Sequence, residues 1–289
     1  MRPHRGRRIA AVLLPFLLAA CQAAGEAEQA RPAMWLAEDA DTRLYLLGTM
    51  HILPRGTDWD GFAVGDAVAA ADELVMELSP RELARAGEAF DALAPRDTPL
   101  AMAERLPPAA LAQYRAQPVK GDDALDDWAI LMLMGRRAAE RAKLSTADGV
   151  EAGLTSAFRK AGKPIAGLET ARAQLMVFET LDAAAQRALL TRAAARADRA
   201  PQEIGALTAA WARGDVAELE RLINDDVETV PAARRAIIAD RNRAWADWAK
   251  RRMEQPGTVL MAVGAGHLVG TDGVPALLAA EGVKVTRVQ

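Results

Sequence analysis

Two apolar segments of the chain end in the same way, and this repeated ending constrains the fold more than any other feature. "RLYLLGTMH" (43–51) and "TVLMAVGAGH" (258–267) both run to a glycine that is followed, three residues later, by a histidine. A short apolar run that ends at glycine is typical of a buried strand. Since each segment is followed by a helical pattern and a further apolar run, we predict two similar βαβ units.

The rest of the chain places these units in the α/β class. Strand patterns occur at 43–49, 73–79, 163–169, 258–266 and 283–288, and helical patterns follow the G-x-x-H segments at 62–71 and 274–282. Two Ala-rich stretches, about 81–146 and 171–253, have the composition of helices, and prolines divide the first of them. The predicted fold is a mixed or parallel central sheet, built from the two βαβ units, with a large helical insertion.

The N-terminus has the pattern of an export signal. Residues 1–20 combine a basic leader with an apolar stretch that is short for a membrane span, so we predict a signal peptide. "LAAC" (18–21) resembles the lipobox of bacterial lipoproteins, which predicts a lipidated Cys21, a flexible tether over 21–33 and a single domain over 34–289. Ordinary secretion, with cleavage among residues 21–24, is the alternative. Lipoprotein sorting rules favour the outer membrane, facing the periplasm.

Charge and cysteine content exclude two classes of protein. The formal net charge is −3, and loss of residues 1–20 removes four arginines, which leaves a more acidic chain. An acidic surface argues against nucleic acid as a partner. Cys21 is the only cysteine, so no disulfide framework holds the fold together.

The two histidines of the G-x-x-H motifs are the first candidate site residues. Open α/β sheets bind ligands at the carboxyl ends of their strands, so His51 and His267 are expected to meet in one crevice. Gly48, Gly264 and Gly266 would shape the backbone there and leave room for a ligand. The alternative is a pair of packed histidines that hydrogen-bond to the backbone.

Glu77 is the acidic candidate, because it ends the apolar strand "ELVMELS". A buried carboxylate is costly unless a cation or a metal ion pairs with it. Two imidazoles and a carboxylate suit a divalent ion, Mn or Co first, with Zn or Fe as alternatives. Glu77 would then act as the third ligand or as a general base. Glu151 and Glu169 are secondary candidates that would otherwise be rim charges or helix caps.

"DRNRAWADWAK" (240–250) adds a cationic candidate on a predicted helix. Trp245 and Trp248 share one face with Arg241, and we expect the tryptophans to belong to the core. Arg241 and Asn242 are candidate site residues, because a guanidinium near the site could bind a peptide carboxylate or a developing oxyanion.

Two other kinds of site are excluded. "VGAGHLVG" (263–270) superficially fits a dinucleotide-binding loop, but the following strand "VKVTRV" carries no acidic residue for the ribose. The chain also contains no G-x-S-x-G motif and no cysteine after Cys21, which leaves no recognisable nucleophile.

These residues together make the chain similar to the TraB/GumN/Tiki family. The resemblance covers "LLGTMHILP" (46–54), "VMELS" (75–79), "AGKPIAGLET" (161–170) with Gln174, "RN" (241–242) and "VGAGHLVGTDGVPALLAAEG" (263–282). Glu151 stands where family members usually carry aspartate. The family fold is α/β, related to the erythromycin esterase and ChaN proteins.

The resemblance implies three functions for the chain. The Tiki branch implies a metal-dependent protease that uses both G-x-x-H motifs and a glutamate, with Mn or Co, so that His51, His267 and Glu77 become catalytic or metal-binding residues and Arg241 a further catalytic candidate. We therefore expect a membrane-anchored hydrolase that acts on a peptide or protein substrate. The TraB branch implies a binding protein that sequesters a peptide or small ligand without turnover. A haem-binding protein with two axial histidines is the third alternative.

Overall fold

The computed structural model describes residues 29–227 and 229–289, with backbone alone for residues 224–227. The predicted signal peptide, Cys21 and the first part of the tether lie outside the described residues. In the described ranges, no helix combines the length and the apolar composition that a membrane span requires.

The described residues form an α/β fold with eight strands. The strands are β1 (Met34–Glu38), β2 (Thr42–Thr49), β3 (Leu53–Pro54), β4 (Glu73–Leu78), β5 (Leu144–Ser145), β6 (Ile165–Glu169), β7 (Gly257–Gly264) and β8 (Lys284–Arg287). Six of them make the central sheet in the order β6-β4-β7-β2-β1-β8, and β3 pairs with β5 in a separate two-stranded sheet. The predicted fold class is confirmed.

Helices make up most of the remaining chain. They are α1 (Phe62–Ala70), α2 (Pro80–Leu83), α3 (Ala86–Leu93), α4 (Met102–Arg105), α5 (Pro108–Arg115), α6 (Asp127–Arg141), α7 (Val150–Lys160), α8 (Ala171–Glu179), α9 (Ala183–Ala195), α10 (Ala200–Ala212), α11 (Val216–Val227), α12 (Pro231–Arg234), α13 (Asp240–Met253) and α14 (Val274–Ala280). Helices α2 to α6 and α8 to α13 occupy the two stretches in which the composition predicts helix.

The sheet differs from the prediction in which strands are neighbours. We expected β2 and β4 to pair directly through one βαβ unit, but β7 lies between them and pairs with both in parallel. The second unit is also split, because β8 pairs with β1, and both β2 and β1 lie between β7 and β8. Strand β1, which the sequence analysis did not predict, runs antiparallel to both β2 and β8.

The parallel strands are apolar throughout because helices cover both faces of the sheet. On β7, Leu260 and Ala262 belong to the apolar cluster that α1, α7 and α10 cover. Val259, Met261 and Val263 belong to the cluster on the opposite face, beneath α13 and α14. Alternate residues of a strand point to opposite faces, so a strand buried on both sides has no polar positions in its middle.

Candidate active site at the carboxyl edge of the sheet

Four neighbouring parallel strands carry the candidate site at their carboxyl ends. Strand β2 ends at Thr49, β7 at Gly264 and β6 at Glu169, while Glu77 is the penultimate residue of β4. Parallel strands bring their carboxyl ends to one edge, where open α/β sheets bind their ligands. The order β6-β4-β7-β2 therefore assembles residues that lie far apart in the chain.

The two G-x-x-H histidines meet beside Gly264. A Cβ atom built on this glycine would lie 3.2 Å from Oε1 of Glu77, 3.7 Å from Cδ2 of His267 and 3.8 Å from Nε2 of His51. The three side chains thus face one small space that exists because residue 264 has no side chain. Gly264 therefore lies between the three side chains, and its role beside a ligand stays a prediction.

The other two predicted glycines have structural roles. A Cβ on Gly48 would lie 3.2 Å from Cα and Cβ of Ala265, and a Cβ on Gly266 would lie 3.1 Å from Cδ1 of Ile223. Gly48 therefore permits the close approach of β2 to the 265–267 turn. Its expected role beside a ligand stays a prediction.

His51 forms a pair with Glu151 at the start of α7. Its Nδ1 lies 2.7 Å from Oε1 of Glu151, and the hydroxyl of Thr49 donates to the same oxygen at 2.5 Å. The pair depends on Gly149, since a Cβ at that position would lie 2.2 Å from the carbonyl oxygen of His51. Glu151 accepts the Nδ1 proton, so Nε2 faces the Gly264 space as the basic nitrogen of the neutral ring.

The charge of His51 is set by this carboxylate. Burial works to lower the pKa of His51, but the charge and hydrogen bond of Glu151 outweigh it and raise the pKa to about 9. Because 63% of the His51 side chain is exposed, water screens the pair. The pKa of His51 therefore rises by less than it would in a fully buried pair. Burial alone would raise the pKa of Glu151, which His51 and Thr49 lower.

His267 is buried and neutral. Its Nδ1 lies 2.6 Å from Oδ1 of Asn242, and its Nε2 lies 3.0 Å from Nη1 of Arg241. A guanidinium only donates, so Nε2 accepts from Arg241 and Nδ1 donates to Asn242. Burial lowers the pKa of His267 to about 4, and Arg241 adds to this effect.

Asn242 is a positioning residue that fixes this tautomer. It is fully buried, and its amide nitrogen donates to the carbonyl of Asp272 at 2.8 Å, which leaves its oxygen directed at His267. Trp245 packs against the imidazole with the ring centroids 4.5 Å apart. The tryptophan belongs to the core, as expected from its helical face.

Glu77 is ionised and fully engaged. Its Oε2 accepts from Arg241 at 2.7 Å and from the amide of Gln174 at 2.8 Å, and its Oε1 accepts from the backbone N–H of Gly264 at 2.9 Å. Burial alone would raise the pKa of Glu77, but the facing groups His267, Arg241 and His51 lower it to about 2. Since His267 is neutral near pH 7, Arg241 and His51 supply the positive charge.

Arg241 joins the acidic residues of two strands. Its Nε and Nη2 each donate to a separate oxygen of Glu169 at 2.8 Å, and Nη2 also donates to Glu77. Only 11% of the Arg241 side chain is exposed, and its guanidinium carbon lies 4.5 Å from the centre of the Trp245 ring. Arg241 therefore compensates buried carboxylates, which explains why Glu77 and Glu169 can be charged inside the fold.

The predicted site residues are thus found together, with three contributors that the sequence analysis did not assign. Thr49 donates to Glu151, Gln174 donates to Glu77, and Gly149 leaves room for the start of α7 against the backbone of His51. Gln174 lies one turn after the strand that ends at Glu169, and this spacing was the signal that could have identified it.

The predicted metal ligands are His51, His267 and Glu77. Nε2 of His51 and Oε1 of Glu77 face the same space, but Nε2 of His267 is occupied by the Arg241 guanidinium. Among the described residues, no group of three or more His, Cys, Asp or Glu side chains is arranged to hold a metal ion. In this arrangement the residues do not fit a three-ligand metal site.

Comparison with known proteins gives one match. The model of the TraB/PrgY/gumN family matches residues 33–287, which includes every residue of the site described above. Neither the curated proteins nor the solved structures contain a match to this chain. The chain therefore belongs to the TraB/PrgY/gumN family.

Proposed function

We propose that the chain is a hydrolase of ester or amide bonds, in which His51 acts as the general base. The observation that carries this proposal is the His51 and Glu151 pair, whose free Nε2 faces the space beside Gly264. In the neutral ring, which His51 adopts above its raised pKa, a carboxylate that holds Nδ1–H leaves Nε2 as the proton acceptor. This is the arrangement that general-base catalysis requires.

The reaction needs only water and the substrate. Nε2 of His51 takes a proton from water as its oxygen attacks the carbonyl carbon, and the imidazolium is stabilised by Glu151. The same proton then passes to the departing alcohol or amine as the bond to the carbonyl carbon breaks. Glu77 contributes negative charge next to this imidazolium, since its Oε1 lies across the Gly264 space.

A peptide is the substrate class that the family resemblance implies, so we include peptidase activity in the proposal. The proposal also includes a lipid anchor at Cys21 and a location at the outer membrane, facing the periplasm. In this proposal, the enzyme acts on a peptide, protein or ester substrate at the membrane surface.

Metal dependence with Mn or Co is a competing version of this proposal. Its support is that His51 and Glu77 present two suitable donor atoms to one space. It requires Arg241 to release Nε2 of His267, because that nitrogen already accepts a hydrogen bond. Activity that disappears in a chelator and returns with Mn or Co would establish the metal-dependent version.

A binding protein without turnover is the second candidate, favoured by the engagement of Glu77 and Arg241. Each of these side chains already makes several hydrogen bonds inside the protein, which holds it in one position, as in a preformed binding site. Haem binding has less support, since both ring nitrogens of His267 are hydrogen-bonded.

The experiment that tests the proposal is a screen of fluorogenic peptides and chromogenic esters with the wild type and His51→Gln. Turnover by the wild type in chelator that His51→Gln abolishes supports the metal-independent hydrolase. Tight binding of a ligand that is recovered intact supports the binding protein and contradicts the hydrolase.

A further inference from the structure

A cavity of about 480 Å³ lies among the helices beside the candidate active site. Helices α6, α9, α10 and α11 form its walls, and most of its lining is apolar, including Leu131, Met134, Leu207 and Leu222. The cavity is a cleft that is partly open to solvent, so a ligand can enter it from the surface. Its volume is in the range of small-molecule sites, about 300–1,000 Å³.

One end of the cavity shares its walls with the candidate active site. Ile223 lines the cavity and also packs against Gly266, between the two residues Gly264 and His267. Ile237 lines the cavity, and its carbonyl accepts from Arg241 at 3.2 Å. The cavity therefore shares two wall residues, Ile223 and Ile237, with the surroundings of the candidate active site.

Phe178 adds a third shared wall. It lines the cavity one helical turn after Gln174, whose amide donates to Glu77. Helix α8 therefore contributes one residue to the cavity and another to the hydrogen bonds of Glu77.

The other end of the cavity is cationic. Leu131 packs in one cluster with Ile237. Arg141 lies ten residues after Leu131 on α6, which at 1.5 Å per residue places it about 15 Å from Leu131 along the helix. Arg137 lies one turn before Arg141 on the same wall. The cavity therefore runs from the candidate active site to a pair of guanidinium groups.

These two arginines keep their positive charge available. In the described ranges, Arg137 donates to the carbonyls of Gln117 and Pro118, and Arg141 donates to the carbonyl of Ala197. Carbonyl oxygens do not neutralise a guanidinium, and each guanidinium has five N–H donors. Arg196, at the end of α9, also lines the cavity, and its charge is compensated by Glu203.

We propose that this cavity binds the long apolar chain of an anionic amphiphile, with its carboxylate or phosphate at Arg137 and Arg141. Burial of the chain against the apolar walls supplies the affinity, and the guanidinium groups fix the orientation. The inference goes beyond the proposed function, because a chain whose charged head lies at Arg137 and Arg141 carries no ester or amide bond at its apolar end. It assigns to the protein an amphiphile-binding site that does not depend on turnover at His51.

The test is the binding of parinaric acid, a fluorescent long-chain carboxylate, to the purified protein carrying Cys21→Ser, which can be handled without detergent. We expect saturable binding that Ala193→Phe removes, since Ala193 lines the cavity. Ala188→Phe is the matched control, because Ala188 is exposed on the same helix. We expect this variant to bind the probe as tightly as the unsubstituted protein does. Thermal unfolding of both variants is measured as the check that they fold.

Charge recognition is tested with the double variant Arg137→Gln and Arg141→Gln. We expect its affinity for the acid to fall about tenfold, whereas its affinity for the methyl ester of parinaric acid is unchanged. No saturable binding, or equal binding by Ala193→Phe and Ala188→Phe, would overturn the proposal.

His51→Gln separates this inference from the proposed function. The variant is expected to bind parinaric acid like the unsubstituted protein, because the cavity does not include residue 51. Binding without any turnover would reject the hydrolase and leave the cavity proposal intact. Turnover of small substrates without probe binding would reject the cavity proposal and leave the hydrolase intact.

Discussion

Nδ1 of His51 lies 2.7 Å from Oε1 of Glu151, although the two residues are separated by 100 positions in the chain. The contact forms because α7 begins against the backbone of residues 50–51, where Val150 N–H donates to the carbonyl of Met50 at 3.1 Å. It gives a partly exposed imidazole a fixed tautomer and a raised pKa.

The pH dependence of turnover follows from this pair. Since Glu151 raises the pKa of His51, the base form accumulates as the pH rises, and activity rises with pH through that pKa. Glu151→Gln removes the negative charge, so the rising limb of the kcat/KM profile is expected at lower pH. The maximal rate also falls, because an amide can donate to Nδ1 and move the ring proton to Nε2. An unshifted limb would show that His51 is not the titrating base.

Gly264 is predicted to be essential for activity and not for folding. In Gly264→Ala, the methyl group would lie 3.2 Å from Oε1 of Glu77 and would fill the space that His51 faces. We expect kcat/KM to fall on the order of a hundredfold while the thermal midpoint changes little. Gly87→Ala is the control, because a Cβ there meets no atom within 4 Å. Full activity of Gly264→Ala would contradict the position assigned to the substrate.

Arg241 is predicted to stabilise the fold through Glu77 and Glu169. The three side chains are at most 14% exposed, so Arg241→Gln leaves two buried carboxylates without their cation. The free energy of unfolding is expected to fall by about 3 kcal/mol or more, measured by urea denaturation. Arg243→Gln on the same helix should change it by less than about 1 kcal/mol, because that arginine is 60% exposed. Equal effects of the two substitutions would refute this role.

The lowered pKa of His267 predicts that the folded protein loses stability in mild acid. Its pKa is lowered from 6.5 to about 4, so the unfolded chain binds a proton before the folded chain does. Its contribution is fully present above pH 6.5 and is lost as the pH falls towards 4, with a slope of at most about 1.4 kcal/mol per pH unit. Urea denaturation at several pH values measures the slope. His267→Phe should flatten it, and an unchanged slope would exclude His267 as its source.

Sequence reasoning identified the strands that carry the site but not their order. The apolar runs before Gly48, Glu77 and Gly264 indicate buried strands because helices cover both faces of the sheet. The insertion of β7 between β2 and β4 follows from long-range packing, which the local pattern does not encode. Strand β1 went unpredicted because its five residues lack a clear alternation.

The residue types at the site were also predictable, whereas their partners were not. A glutamate at the end of a buried strand requires a cation, and the structure provides Arg241. The sequence could not indicate that Arg241 would occupy Nε2 of His267, the nitrogen expected to bind a metal ion. Asn242 was expected near a substrate, but it fixes His267 from the buried side.

The most direct test of the central claim is the transfer of heavy oxygen from labelled water into the acid released from a peptide or ester, with chelator present. Attack by water with His51 as the base predicts one labelled oxygen per bond cleaved by the wild type and no product above background with His51→Gln. Equal cleavage by His51→Gln, or an absence of labelled product from the wild type under all substrates screened, would contradict it.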